Sequence, residues 1–133
     1  MTMIKYFTPL LLLAAGTASA QAVPPTATVS ELMTKALPDY PGKEALVLMV
    51  TYPPGSVDPV HRHNADAFVY VLEGAIVMGV RGGKTVTLTP GQTFYEGPND
   101  VHTIGRNASA SKPAKFIVVL LKSVGKPAVI PAK

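Results

Sequence analysis

Short runs in which apolar and polar residues alternate, separated by turns containing Gly or Pro, cover the chain from residue 45 to residue 122. A period of two is typical of strands that bury one face, and runs rich in Val, Phe and Tyr favour strands further. The Gly82-Gly83 pair indicates a hairpin turn. Evenly spaced short strands with no long helical pattern predict an all-β sandwich or barrel. The predicted strands are 45–52, 67–72, 76–80, 85–88, 92–96, 101–106 and 115–122.

The segment before the first predicted strand has a different pattern. Thr28-Val-Ser-Glu31 has the form of a capping box, and Leu32, Met33 and Ala36 follow at helical spacing. We therefore predict one short helix near 29–36, ended by Pro38. This divides the chain into an arm with a helix at 21–40, a β-barrel at 41–123, and a tail at 124–133 that is an edge strand or loose.

The first twenty residues have the composition of a secretory signal peptide. Lys5 provides a charged start, residues 10–15 are apolar, and Ala18-Ser19-Ala20 is a small-residue cleavage site. The apolar run is too short to span a membrane. We therefore expect export to the periplasm or the outside of the cell, with no membrane association after cleavage of residues 1–20.

Charge and cysteine content exclude several classes of function. The whole chain has 12 Lys+Arg against 8 Asp+Glu, and its basic residues are scattered rather than clustered with aromatic residues. We therefore predict no nucleic-acid partner. The chain has no cysteine, which excludes disulfides, thiolate nucleophiles and cysteine-ligated zinc or iron–sulfur sites.

The chain has three histidines, and all three are placed where a single metal site would need them. His61 and His63 are two residues apart, so on a strand their side chains point to the same face. His102 follows after several predicted strands and can close the site from a facing strand. Imidazole ligands suit iron, zinc, copper and nickel. These three residues are therefore the predicted metal ligands.

The residues around these histidines resemble the cupin family. The stretch from Gly55 to Gly74 matches the first cupin motif, G-x5-H-x-H-x3-E-x6-G, in its spacing. The stretch from Gly91 to Asn107 is similar to the second motif, G-x5-P-x-G-x2-H-x3-N, although its proline and asparagine each stand one place late. The resemblance implies a small cupin-type double-stranded β-helix, a jelly-roll barrel. It also implies a homodimer.

The clearest departure from the motif is at position 67, where the family usually has a glutamate as the fourth metal ligand and this chain has Ala67. Asp66 is adjacent, but on a strand its side chain points to the opposite face. Glu96 is the other candidate, as a ligand or as a catalytic acid or base, with a structural or pocket-rim role as the alternative. A carboxylate among apolar neighbours needs a partner, which a metal, an arginine or solvent could provide.

Three further residues are predicted to line a substrate pocket. Tyr70 and Phe94 are aromatic residues of predicted strands. Arg106 lies four residues after His102, so both side chains share a face if that strand is regular.

Two functions fit these features. The first is an exported, metal-dependent enzyme, an oxygenase or else an isomerase or lyase, that acts on a small organic molecule. The second is a non-catalytic cupin that binds a metal or a small ligand. In both cases the predicted cofactor is one divalent transition metal ion, Fe, Mn or Zn, and the sequence does not choose among them.

Overall fold

The computed structural model describes residues 21–133, and within this range the chain forms ten strands and no helix. The strands form two antiparallel sheets, with the orders β1-β2-β9-β4-β7 and β10-β3-β8-β5-β6. This is the predicted all-β double-stranded β-helix. The strands are β1 (Thr28–Ala36), β2 (Lys43–Tyr52), β3 (His61–Arg62), β4 (Asp66–Glu73), β5 (Ile76–Val80), β6 (Val86–Leu88), β7 (Thr93–Glu96), β8 (His102–Asn107), β9 (Ala114–Ser123) and β10 (Ile130–Pro131).

The core lies between the two sheets. In β9 every second residue is buried, from Ala114 to Lys122, as a period of two requires when one face packs inward. Strand β5 is almost continuously buried. The largest fully buried side chains are Tyr52, Ile76, Met78, Leu120 and Val71.

The predicted strands from 45 to 122 are confirmed, with ends that shift by one or two residues. The predicted helix near 29–36 is wrong, because this segment is strand β1 and pairs with β2 from Thr28 to Ala36. All nine residues of β1 are exposed. Leu32 and Met33 therefore contact no apolar surface of the kind that would stabilise an amphipathic helix. The hydroxyl of Thr34 donates to Glu31 Oε1 (2.7 Å) within the strand.

The chain after β9 returns to the barrel. Strand β10 pairs with β3, so that Ile130 lies opposite Arg62 and Pro131 opposite His61. Part of the predicted tail is thus an edge strand. The predicted signal peptide, residues 1–20, lies outside the described residues. None of the described residues belongs to a helix long and apolar enough to cross a membrane.

Candidate metal centre

The three histidines meet at the end of the second sheet. His61 in β3 is the direct cross-strand partner of His102 in β8. His63 follows β3 by one residue, and the chain then turns at Asn64, which has a positive φ of 48°. One ring nitrogen from each histidine lies within 4.8 Å of the other two. The predicted convergence of His61, His63 and His102 is therefore present.

Hydrogen bonds to backbone carbonyls orient two of the rings. The Nδ1 of His61 lies 2.8 Å from the carbonyl oxygen of Pro59, and the Nδ1 of His63 lies 2.7 Å from that of Ala128. A carbonyl can only accept, so each Nδ1 carries a proton, and in the neutral form of each ring Nε2 keeps its lone pair. This is the arrangement found in metal-ligating histidines, whose second nitrogen usually donates to a carbonyl or carboxylate.

The carboxylate of Glu96 completes the cluster. Its Oε2 lies 3.2 Å from His63 Nε2, and its Oε1 lies 2.9 Å from His102 Nδ1, without the alignment of a regular hydrogen bond. The side chain of Glu96 is 4% exposed. It comes from β7, where Glu96 is the direct partner of Ala67 in β4. The chain therefore places a carboxylate on the strand beside the position where the cupin motif has one.

The cluster shifts the proton affinities of its members in different directions. Burial lowers the pKa of His61, which favours the neutral imidazole that binds metals. Burial alone would lower the pKa of His63, but Glu96 and the Ala128 carbonyl outweigh it and raise that pKa. Burial would raise the pKa of Glu96, yet the two imidazoles beside it lower the value to about 2. The carboxylate is therefore ionised at neutral pH.

These residues fit a divalent transition metal ion. Three imidazoles converge in a buried space, and the ionised carboxylate of Glu96 lies beside two of them, which is the mixed nitrogen and oxygen donor set that such ions bind. His102 Nε2 and Glu96 Oε1 are buried and have no hydrogen-bond partner. Unsatisfied buried polar atoms are costly unless something binds them.

A cavity of about 400 Å³ adjoins the cluster. Its walls are mainly aliphatic and aromatic side chains from both sheets. Among the described residues that line it, the polar side chains are those of the histidine cluster and Glu96, together with Tyr52 and Asp58. The apolar lining includes Val29, Leu48, Val50, Val69, Met78, Phe116, Val118, Leu120 and Val129.

Sequence reasoning missed the Tyr52–Asp58 pair. Tyr52 is the last residue of β2 and only 1% exposed, and its hydroxyl donates to Asp58 Oδ2 in the loop before β3. In the sequence, Tyr52 is one of several aromatic residues in predicted strands. Asp58 is one of the five unspecified positions of the first cupin motif, between Gly55 and His61. The one available signal is an acidic residue three positions before a predicted ligand.

The three residues predicted to line a pocket lie elsewhere. Tyr70 is 46% exposed and lies in a groove on the outer face of the first sheet. Phe94 is half-buried and packs against the hydrophobic core, but it does not line the cavity. Arg106 is exposed and donates to the Asn107 carbonyl. A bulge in β8 explains the position of Arg106, because Ile104 pairs with Gly79 whereas His102 pairs with the next residue, Val80. The extra residue reverses the alternation between His102 and Arg106.

Solved structures support the fold. An uncharacterised conserved protein with a double-stranded β-helix domain from Klebsiella pneumoniae has a TM-score of 0.64 at 17% identity, over 81% of this chain and 85% of that one. The polyketide cyclase RemF from Streptomyces resistomycificus has a TM-score of 0.59 at 21% identity, over 80% and 71% of the two chains.

The DMSP lyase DddQ from Ruegeria pomeroyi has a TM-score of 0.59 at 19% identity. The alignment covers 66% of this chain but only 43% of the lyase. At these identities the likeness shows the fold alone.

No curated protein sequence matches the chain. The family model described as "Cupin domain" matches residues 48–120, which is more than half of the chain and includes the three histidines and Glu96. The chain therefore belongs to the cupin domain family.

Proposed function

We propose that this protein is a metal-dependent enzyme that acts on a small organic molecule, with His61, His63, His102 and Glu96 as the metal ligands. The observation that carries this proposal is the convergence of three imidazoles, with an ionised carboxylate beside two of them, at the wall of a largely apolar cavity. Pockets of this kind, apolar with a few convergent polar groups, are the usual sites of small ligands.

The donor set narrows the metal to an ion that accepts both nitrogen and carboxylate oxygen. Fe, Mn and Zn all meet this requirement. When bound, such an ion acts as a Lewis acid toward an oxygen atom of the substrate. The protein's part is to orient the ligands through the Pro59 and Ala128 carbonyls and to exclude water by the apolar walls.

The reaction class is an oxygenation, or an isomerisation or elimination. Two proteins of similar fold, a lyase and a polyketide cyclase, are enzymes of small organic molecules. Their likeness to this chain is one of fold, and a fold alone does not choose between oxidative and non-oxidative chemistry.

A non-catalytic binding protein is the second candidate. It is favoured by Ala67, because the glutamate expected there is also a candidate general base in the resemblance to cupins. With Glu96 as a metal ligand, the carboxylate that remains at the cavity among the described residues is that of Asp58, which already accepts from the Tyr52 hydroxyl. A barrel that holds a metal and a ligand without turnover would have this arrangement.

The metal content of the purified protein, measured by elemental analysis, tests the proposal. We expect about one equivalent of metal in the wild type, its loss in His61→Ala, and a lower content in Glu96→Gln. Asp66→Asn is the matched control, since Asp66 is also a carboxylate of the first sheet but accepts from Tyr95 on the other face (2.6 Å). A wild-type protein that binds no added Fe²⁺, Mn²⁺ or Zn²⁺ would contradict the proposal.

Turnover distinguishes the two candidates. An enzyme should consume a small organic molecule in a metal-dependent manner, whereas a binding protein should release it unchanged. Export and the homodimer are not tested by these observations and stay predictions.

A further inference from the structure

A second polar group faces the cavity near the metal centre. The hydroxyl of Tyr52 donates to Asp58 Oδ2, and both residues line the cavity. Tyr52 is fixed at its other end as well, because its ring packs edge-on against Phe116 with centroids 4.9 Å apart. A buried hydroxyl held in this way has a defined position.

Gly105 shows how close this pair lies to the centre. A Cβ atom at Gly105 would lie 2.9 Å from His102 Cε1, 3.1 Å from Asp58 Oδ2 and 3.1 Å from the Tyr52 hydroxyl oxygen. All three atoms therefore surround one point above the glycine. A molecule that reaches a metal on His102 can also reach the hydroxyl of Tyr52.

The remaining hydrogen-bonding capacity of the pair is that of an acceptor. The single proton of the Tyr52 hydroxyl is used by Asp58, and a hydroxyl oxygen keeps lone pairs that can accept. Burial, together with the carboxylates of Asp58 and Glu96, raises the pKa of Tyr52, so the proton stays on the phenol. A ligand group that meets this oxygen must therefore bring its own donor.

We propose that Tyr52 is a specificity-determining residue, which accepts a hydrogen bond from a hydroxyl or N–H group of the substrate, and that Asp58 positions it. This rests on the proposed function. The substrate class follows: a small, largely apolar molecule with an oxygen group for the metal and a hydrogen-bond donor for Tyr52. The remaining walls, formed by residues such as Val50, Val118 and Phe116, contact its apolar part.

The three hydroxybenzoate isomers and their methoxy counterparts are suitable probes with Co²⁺-loaded protein. The carboxylate of each probe should bind the cobalt ion and change the visible spectrum of that ion. Only the hydroxy compounds also have a hydrogen-bond donor for Tyr52. By calorimetry we expect at least one hydroxy isomer to bind the wild type about five- to tenfold more tightly than its methoxy counterpart, the value of one hydrogen bond between neutral groups. In Tyr52→Phe this ratio should fall to near one.

Tyr70→Phe is the matched control, because it makes the same change on the outer face and should keep the ratio. Asp58→Asn should reduce the ratio independently, which keeps the proposal testable if Tyr52→Phe does not fold. The proposal is overturned if no isomer shows the preference or if it persists in both variants.

Failure of the proposed function has a different signature. If the proposed function is wrong, the protein should not bind cobalt. If only the role of Tyr52 is wrong, the protein should still bind cobalt, and the benzoate probes should still change the visible spectrum of the cobalt ion. With metal-free protein, phenol and anisole give the same comparison, and the preference for phenol should again depend on Tyr52. A merely structural role of Tyr52 would lower the melting temperature and leave both preferences unchanged.

Discussion

Ala67 and Glu96 are direct cross-strand partners in β4 and β7, and both are buried on the face that packs inward. Partners across an antiparallel pair have Cβ atoms only about 5 Å apart. A glutamate side chain at either position therefore enters the same space. This explains how the chain combines an alanine at the usual ligand position with a carboxylate in the centre.

Exchanging Ala67 and Glu96 should move the carboxylate from β7 to β4 and preserve the metal site. We expect Glu96→Ala to weaken metal binding by at least about tenfold, because one anionic ligand is lost. Adding Ala67→Glu to that variant should recover most of the affinity. Competition with a chelator of known affinity measures both. Equal affinity of Glu96→Ala and wild type would show that Glu96 is no ligand.

Gly105→Ala should damage the centre through contact alone. The new methyl group would press on His102 Cε1, Asp58 and Tyr52 at 2.9–3.1 Å, distances that force at least one of them to move. We expect weaker metal binding and a lower melting temperature. Gly79→Ala in the neighbouring strand β5 is the control, since its nearest contact is the Thr85 hydroxyl at 3.2 Å. A Gly105→Ala protein with wild-type metal affinity would contradict this account.

Asn107→Ala should destabilise the fold. Its buried side-chain amide lies 2.8–3.1 Å from the carbonyls of Tyr52, Pro53 and Lys112, and its oxygen accepts from the Ser109 N–H. Removing these bonds leaves buried carbonyls unpaired, at a cost of about 3 kcal/mol. Urea unfolding measures this loss. Asn99→Ala, at an exposed turn, should change the unfolding free energy little.

The Lys122–Glu44 ion pair predicts a pH dependence of stability. Lys122 is buried, and its ammonium donates to Glu44 and to the Lys126 carbonyl (2.7 Å). The hydrogen bond from Lys122 is the largest cause that lowers the pKa of Glu44 from its ordinary value of 4.5. A lowered folded-state pKa adds stability above the unfolded-state value, which is lost as the pH falls through the folded-state value.

Glu44→Gln should therefore melt at a lower temperature than wild type at neutral pH, and the difference should shrink as the pH falls below 4.5. Thermal unfolding at several pH values measures this. Glu73→Gln is the control, because the Glu73–Lys115 pair (3.6 Å) is solvent-exposed and such pairs contribute little. A difference that grows toward acid pH would contradict the role of this pair.

The strands and the histidine cluster were predictable because both follow from a period of two. Alternating residues in β9 show which face is buried, and His61 and His63 two positions apart indicate a common target. The helix near 29–36 was wrong for a different reason. Its capping pattern is local, whereas the pairing of β1 with β2 is a long-range interaction that local preferences do not include.

Other parts of the site depend on features that alternation does not encode. The bulge in β8 separates Arg106 from His102, and nothing in the residue pattern marks it. The Tyr52–Asp58 bond joins a strand end to a loop, and its geometry is set by the path of that loop. Glu96 could be named as a candidate, but its position opposite Ala67 required the register of β4 and β7.

The carbonyl that holds the His63 ring belongs to Ala128, and Ala27 and Val129 also line the cavity. These residues lie on either side of the segment 48–120 that matches the cupin domain. Substitutions in the flanking segments can therefore reshape the binding cavity and reorient a metal ligand while the domain itself stays the same. Among cupins built in this way, ligand preference could diverge first in the flanking segments, ahead of any change in the barrel.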